Sequence, residues 1–539
     1  MVKNIYDTEK GWKQIQRIRR NTLGDLLART RDRLPDKFAI AYKHIRLTYK
    51  ELDDLVNQTA HAFLRDGMKK GDMIAIMSKN SLDFVISTFA LARIGAVMIP
   101  INYMLNASDV RYILNHAKVS GYLAAEEYMS ILDQAAADLS INHRFIMDQE
   151  EKRGGENGDS GWIPLSVARK DESTAFVDAD IDDEDLAHVL YTSGTESRPK
   201  GVMLTHKNII SEYVSTIISG KMSEKDVCIH ALPLYHSAQL HCFLGPSIYL
   251  GSSGIILENA KPDNLLETIE KEKITQLFCP PTVWIALLRH PDFNRRDLSS
   301  LQKCYYGAAI MPREFLKELS ERLPNARFWN FYGQTEVAPL ATALQPEDQM
   351  RKLGSAGKPT LNVQTKIVDD HGKEVPPGVI GEIVHRTPHA MKGYLYDPEK
   401  TLEAFRSGWF HSGDLGVMDE EGYITIIDRK KDMINSGGVN VSSREVEEVI
   451  YEMEGVSEVA VISIPDPYWI EAVTAVIVRK KGAEMTEEDV IAFCKERLST
   501  FKVPKYVEFT DQLPKNPSGK LLKRKLREMY RHVSDQRRG

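Results

Sequence analysis

Between Thr48 and Ile101 the sequence alternates between helical and strand periodicity, and this alternation constrains its fold more than any other feature. Thr48 stands before Tyr49-Lys50-Glu51, a capping hydroxyl with a glutamate three residues on, and Leu52, Leu55, Val56 and Thr59 share one face of the helix that follows. Residues 67–71, bounded by glycines, break that helix, and Met73-Ile74-Ala75-Ile76-Met77 reads as a buried strand. A second helix over 83–93 stops at Gly95 and runs into a strand over 96–101. Such alternation predicts an α/β fold with layered, largely parallel sheets. The apolar stretch 84–105 approaches the length of a membrane span. Arg93 near its middle and Pro100 near its end argue instead for a buried helix leading into a strand.

From Val363 the texture changes to short strands with turn signals between them: 364–368, then Asp370-His371-Gly372, then 381–385. A small β-rich subdomain is expected there. The charged run Asp428-Arg429-Lys430-Lys431-Asp432 follows a strand at 423–427 and precedes a Gly-Gly turn, which marks a domain boundary. Beyond it Val446, Val449, Ile450 and Met453 lie on one helical face, strands are expected at 459–464 and 472–478, and Val490, Phe493, Cys494 and Leu498 form the apolar side of another helix. The expected architecture is a large N-terminal domain, 1–428, of layered α/β subdomains plus the small β-rich subdomain, followed by a small mobile C-terminal α/β domain, 429–539. A chain of 539 residues is long enough for more than one domain.

A formal net charge of −6 speaks against a nucleic-acid binder that works by bulk attraction. The basic stretches 13–20 and 520–531 read as solvated helix faces, with contact to anionic ligands or lipid headgroups as the alternative. The five cysteines are scattered, without CxxC or metal-ligand spacing, which suits a reducing, cytoplasmic location. The first residues have no apolar core, so no secretory signal is expected there. Residues 150–160, EEKRGGENGDS, read as a polar surface loop.

The chemistry is concentrated in a few ordered segments. Tyr191-Thr192-Ser193-Gly194-Thr195-Glu196-Ser197-Arg198-Pro199-Lys200-Gly201 follows an apolar strand pattern and offers hydroxyls, accessible backbone N–H groups and a cation, the donors a polyphosphate needs. GxxxxGK[ST] is absent, so this is not a Walker loop. Further along stand Gly307-Ala308-Ala309, Asn330-Phe331-Tyr332-Gly333-Gln334-Thr335-Glu336, Gly408-Trp409-Phe410-His411-Ser412-Gly413-Asp414, Arg429 and Leu513-Pro514-Lys515-Asn516-Pro517-Ser518-Gly519-Lys520. Taken singly, these read equally as turns or solvated charges. In this order, over nearly the whole chain, they resemble the acyl-adenylate-forming superfamily, which includes acyl-CoA synthetases, luciferases and the adenylation domains of peptide synthetases. The texture is similar to bacterial fatty-acyl-CoA synthetases.

That resemblance implies an ATP-dependent acid–CoA ligase that forms an acyl-AMP and then an acyl-CoA. It implies that Thr192, Ser193, Gly194, Thr195 and Lys200 cradle the phosphates, that Thr335 meets the α-phosphate, and that Thr192 and Glu336 hold Mg²⁺. Tyr332 would pack on adenine beside Gly307 and Ala308, Asp414 would accept bonds from the ribose hydroxyls, and Arg429 would lie at the nucleotide. Lys520 would reach the adenylation site, His236 would lie near the carboxylate and phosphate, and the small domain would turn about Lys431 to open a thiol path beside Gly437 and Gly438. The commonest phosphate-loop pattern has Thr-Gly where this chain has Glu196-Ser197, a carboxylate that Mg²⁺, Arg198 or Lys200 must offset. Leu232-Pro233-Leu234-Tyr235-His236-Ser237 lacks the aspartate that holds a substrate ammonium in amino-acid-activating relatives, so an acid without an α-amino group is implied.

The implied partners are therefore a small-molecule carboxylic acid, ATP and CoA. A medium- or long-chain fatty acid comes first, with an aryl acid or a carrier-protein acceptor as alternatives. Tyr235, His236, Trp284, Gly307 and Phe331 are the expected walls of the acid pocket. No nucleic acid and no membrane span are expected, while transient membrane contact and a homodimer fit the same reading.

Overall fold

The computed structural model describes residues 9–147, 161–192, 199–307, 309, 311–515 and 521–536, with side chains from residue 14 to 534. The loop expected at 150–160 is therefore outside the described residues except for its surroundings, as are Ser193, Gly194, Thr195, Ala308 and Lys520. By packing, the described residues fall into two units, one within Met1–Gly194, Arg198–Gln364 and Arg386–Glu403, the other within Thr365–His385 and Ala404–Gly539.

The first unit is layered α/β as expected. In one sheet Phe38–Tyr42, Ser253–Ile256, Val227–His230, Gln276–Phe278, Lys303–Gly307 and Arg327–Gly333 run parallel, with antiparallel strands at either side. In the other, Val97–Pro100, Met73–Met77, Gly121–Ala124 and His143–Ile146 run parallel beside the hairpin Leu186–Thr192 and Lys200–Thr205. The local signals were real ones. Thr48 caps the helix Tyr49–Arg65 in a capping box with Glu51, and the helix Leu82–Ile94 ends at Gly95. Arg93, the charge that argued against a membrane span, is fully buried and bonds Asp53 (2.8 Å), Asn57 (2.7 Å) and the Gly24 carbonyl (2.9 Å). A buried guanidinium is tolerated only when so paired. No helix among the described residues is long and apolar enough to cross a membrane.

The second unit contains a β-rich part, with Gln364–Val368, Gly381–Arg386, Phe410–Met418 and Ile424–Arg429 in that order. It also contains an α/β part built on the long hairpin Val456–Asp466 and Ile470–Arg479, with Tyr506–Phe509 parallel to the latter. Val446 and Ile450 of the helix Ser443–Tyr451 and Val490 and Cys494 of the helix Glu487–Arg497 are buried in its core.

The charged run lies within the second unit. Asp428 is buried and caps the helix Ser443–Tyr451, accepting from the Ser443 N–H (2.7 Å) and hydroxyl (2.6 Å), while Arg444 donates to the Ile426 carbonyl (2.8 Å). A carboxylate at a helix N-terminus is stabilised by the open N–H groups there, which is why this charge is not solvated. The basic stretches are likewise less solvated than expected. Arg20 forks onto Asp25 (2.6 and 2.9 Å), Lys523 pairs with Glu447 (2.8 Å), and Arg527 pairs with Asp432 (2.6 Å). The five cysteines are buried and none is in a disulfide.

Candidate active site

In open α/β sheets ligands bind beyond the carboxyl ends of parallel strands. Several of the candidate residues of the first unit are found there. Thr192 ends the strand Leu186–Thr192, and Lys200, opposite it in register, begins the return strand. Gly307 ends Lys303–Gly307 against Phe331, and a Cβ on Gly307 would come 2.4 Å from the Phe331 carbonyl oxygen, so only glycine lets these two strands approach. Tyr332 lies one residue before the end of Arg327–Gly333.

The turn Thr335–Val337 follows that strand and is pinned from several directions. The Thr335 hydroxyl lies 3.1 Å from the Ser237 hydroxyl. The Glu336 carbonyl accepts from Met391 N–H (2.8 Å), and the Val337 carbonyl is 2.8 Å from Nδ1 of the buried His389. The Glu336 carboxylate accepts at Oε1 from the Tyr394 hydroxyl (3.0 Å). Burial first, and the Glu336 charge second, push the Tyr394 hydroxyl well above its ordinary pKa, so it stays a proton donor. The Lys200 ammonium sits 4.7 Å from the centre of the Tyr394 ring. The Glu336 carboxylate and the Thr192 hydroxyl are hard oxygen donors of the kind that Mg²⁺ takes beside phosphates, so these two residues fit that ion.

His236 caps the short turn Ser237–Gln239, with Nδ1 accepting from Ala238 N–H (3.2 Å). The neutral ring then carries its proton on Nε2. The buried Tyr235 hydroxyl has no hydrogen-bond partner among the described residues, and its ring packs edge-on against Tyr103 with centres 5.4 Å apart. Phe331 is buried against Tyr305 (ring centres 5.1 Å apart) and Phe243 (6.1 Å). Trp284 does not line this region. It is fully buried in a separate core cluster, with its indole N–H on the Tyr305 carbonyl (3.0 Å). An apolar side chain one helix away from a site carries no sequence mark that distinguishes wall from core.

In the second unit, Asp414 is buried on Phe410–Met418, opposite Arg429 in register, and its Oδ1 is 2.9 Å from Arg429 Nε. The turn before it rests on Glu382. That buried carboxylate accepts from Gly413 N–H (3.2 Å) and Arg406 Nη2 (2.7 Å), lies 3.2 Å from His411 Nδ1, and is 3.6 Å from the Lys430 ammonium. Lys430 also holds Asp370 (2.7 Å), and its N–H donates to the Gly413 carbonyl (2.9 Å). Gly437 and Gly438 form a two-residue hairpin turn with φ of +61° and +87°, between Ile434–Ser436 and Val439–Val441. Positive φ at both positions is the reason for two glycines. Gly437 N–H donates to the Trp469 carbonyl (2.6 Å), placing that indole beside the turn.

Tyr394, His389 and Glu382 were not singled out from the sequence. Glu382 alone left a signal, a charge inside the apolar strand pattern Gly381-Glu382-Ile383-Val384, where an unpaired carboxylate would be costly.

Comparison with known proteins identifies the family. The chain matches the AMP-binding enzyme family over residues 27–395 and the AMP-binding enzyme C-terminal domain over 445–520. It is 34% identical to a feruloyl-CoA synthase of Amycolatopsis sp, over 95% of this chain and 100% of that one. It is also 34% identical to a long-chain-fatty-acid–CoA ligase of Bacillus subtilis, over 94% of each chain. The ATP-bound crystal structure of MatB from Rhodopseudomonas palustris superposes with a TM-score of 0.86 at 32% identity, covering 95% of this chain and 99% of the other. The protein described here belongs to the AMP-binding, adenylate-forming enzyme family.

Proposed function

We propose that this protein activates a medium- or long-chain fatty acid and transfers it to CoA. It is an ATP-dependent acid–CoA ligase of the AMP-forming type. The observation that carries the activation step is the pinned Thr335–Val337 turn, whose carboxylate is linked through Tyr394 to Lys200 at the foot of the phosphate loop.

A free carboxylate is a poor electrophile. Its oxygen attacks the α-phosphorus of ATP, the bond to the bridging oxygen of pyrophosphate breaks, and a mixed anhydride with AMP remains. Thr335 and the loop of Thr192, Ser193, Gly194, Thr195 and Lys200 stabilise the charge that develops on the phosphates, and Lys520 neutralises the leaving pyrophosphate. Glu336 and Thr192 would hold Mg²⁺, which would screen the charge of the triphosphate. Tyr332, Gly307 and Ala308 accommodate adenine, Asp414 accepts from the ribose hydroxyls, and Arg429 holds Asp414 in place. His236 orients the acid with its Nε2 proton. In the second step the C-terminal domain, 429–539, turns about Lys431, Lys520 withdraws, and the CoA thiol passes Gly437 and Gly438 to attack the acyl carbon. The C–O bond of the anhydride breaks and AMP leaves.

The similarity to the long-chain ligase supports the fatty acid. The feruloyl-CoA synthase similarity supports the second reading, an aryl acid. Action in the cytoplasm, association as a homodimer, and transient contact of the basic C-terminal helix with an anionic membrane belong to the same proposal. Arg524 and Lys525 are exposed on that helix. Light scattering tests the dimer, and co-sedimentation with anionic vesicles tests the membrane contact.

The substrate test is pyrophosphate release from Mg·ATP across fatty, aryl and amino acids, with and without CoA. The largest kcat/KM with a fatty acid, and thioester only when CoA is present, is the expected result. A higher value with an aryl acid replaces the substrate, and adenylate that persists in CoA moves the acceptor to a carrier protein.

A further inference from the structure

The segment from His389 to Leu395 is distant in sequence from both chemical motifs of the first unit, yet it is bonded to both. Toward the turn, His389 meets the Val337 carbonyl and Met391 N–H meets the Glu336 carbonyl, each at 2.8 Å. Toward the strand that leaves the phosphate loop, Lys392 N–H donates to Met203 and Leu395 N–H to Gly201, also at 2.8 Å. Gly393 and Tyr394 pair in register with Met203 and Val202. Tyr394 is the one residue of the segment whose side chain serves both sides. Its hydroxyl donates to Glu336 Oε1 at 3.0 Å, and its ring lies under the Lys200 ammonium at 4.7 Å. Its own N–H is fixed by the Thr401 hydroxyl (2.9 Å), so the ring is held from the main chain outward.

We infer that Tyr394 is the positioning residue of the adenylation step. It fixes the rotamer of Glu336 by occupying Oε1, so that Oε2 is the oxygen presented to the metal, and it sets the reach of Lys200 toward the phosphates. This rests on the reading of Glu336 as a metal-holding carboxylate. The physics is that of any outer partner of a ligating group. A glutamate has three side-chain torsions, and a ligand oxygen free to rotate gives up binding energy each time it is ordered. A buried hydroxyl that donates to one oxygen removes that freedom in advance. The ring adds a face on which an ammonium is attracted by the aromatic quadrupole, at a distance within the usual limit of about 6 Å.

The roles are separable by substitution. Tyr394→Phe deletes the hydroxyl and keeps the ring under Lys200, whereas Tyr394→Leu removes both. The decisive readout is Mn²⁺ binding to the full-length protein with a non-cleavable α,β-methylene analogue of ATP, followed by electron paramagnetic resonance. ATP–pyrophosphate exchange is measured alongside. Thioester formation from supplied acyl-AMP and CoA, a half-reaction that does not use Glu336, reports that each variant is folded.

Tyr394→Phe is expected to weaken Mn²⁺ in the ternary complex by about tenfold and to lower the exchange rate by a similar factor, while the ATP KM changes little. Tyr394→Leu is expected to show the same metal defect plus a several-fold rise in the ATP KM, from Lys200. Unchanged Mn²⁺ affinity in Tyr394→Phe overturns the inference while leaving the role of Glu336 intact. Unchanged Mn²⁺ affinity in Glu336→Gln overturns the reading of Glu336 itself, and with it the inference.

Discussion

The two turns that carry the candidate nucleotide-binding carboxylates are anchored in opposite ways. The turn with Glu336, in the first unit, is held chiefly through its main chain, by Met391 N–H on one carbonyl and His389 on the next, with Tyr394 on the side chain. The turn with Asp414, in the second unit, is gathered about one buried carboxylate, Glu382, which takes the Gly413 N–H and Arg406 and lies near His411 and Lys430, while the Lys430 N–H holds the Gly413 carbonyl. Distributed main-chain anchoring tolerates the loss of any one side chain. A charge hub does not tolerate the loss of its centre, because removing Glu382 takes the counter-charge from several groups at once.

The largest expected effect breaks the hub. Glu382→Ala removes the acceptor of the Gly413 N–H and one partner of Arg406. Arg406 is partly exposed, which keeps the cost near the low end for a buried pair, about 3 kcal/mol. Urea denaturation should show that loss, and adenylation should fall roughly a hundredfold as the Asp414 turn is released. Glu382→Gln, which keeps an acceptor for Gly413 but not the charge, should fall between wild type and alanine. Equal, small effects of the two substitutions would break the comparison.

Asp414→Asn acts on the same turn without removing its anchor. It loses the charge opposite Arg429 and half of the acceptor capacity toward the ribose, so the ATP KM should rise roughly tenfold, with the KM for the acid unchanged. By contrast His389→Ala should lower adenylation only several-fold. Met391 N–H and Tyr394 remain, although the lost buried bond costs stability of about 1–2 kcal/mol. A hundredfold loss in His389→Ala would show that the first turn, too, hangs on one group.

Acid bears on the first unit through its buried histidines. The first unit buries His206 and His389, held down to about 4 chiefly by desolvation, and His230 and His241, held down to about 3 by the same cause. A histidine that is neutral in the folded state and ordinary in the unfolded one binds its proton preferentially on unfolding. Its stabilising contribution is therefore complete above about pH 6.5 and is lost as the pH falls toward 4. Denaturation of the first unit, followed by its tryptophans, should need progressively less urea across that window. His389→Asn should flatten the slope. Smallest of all, Lys430→Ala breaks a pair with Asp370 that is largely exposed, and should cost under about 1 kcal/mol with adenylation kept.

Much of the fold could be read from the sequence where periodicity and caps coincide. Met73–Met77 stands where the apolar run places it, and Thr48 and Gly95 bound their helices as their chemistry requires. The organisation around Asp428 could not be read in the same way. A carboxylate in a charged run looks solvated until the open helix N-terminus that Asp428 caps is known, and that partner is fifteen residues away. The site divides similarly. Thr192, Gly307, Thr335, Glu336 and Asp414 could be named as candidates because the ordered motifs that hold them resemble those of the adenylate-forming family. Their supports, Tyr394, His389 and Glu382, answer only to the geometry of neighbouring strands, and nothing in a single sequence records which strand lies beside which.

The central claim is that the acid is activated as an adenylate before any thiol takes part. Isotope exchange between pyrophosphate and ATP, measured with a fatty acid, Mg²⁺ and no CoA, tests it most directly. Exchange is expected to require the acid and the metal and to be lost in Glu336→Gln. Exchange that appears only when CoA is added, or none with any acid, would contradict it.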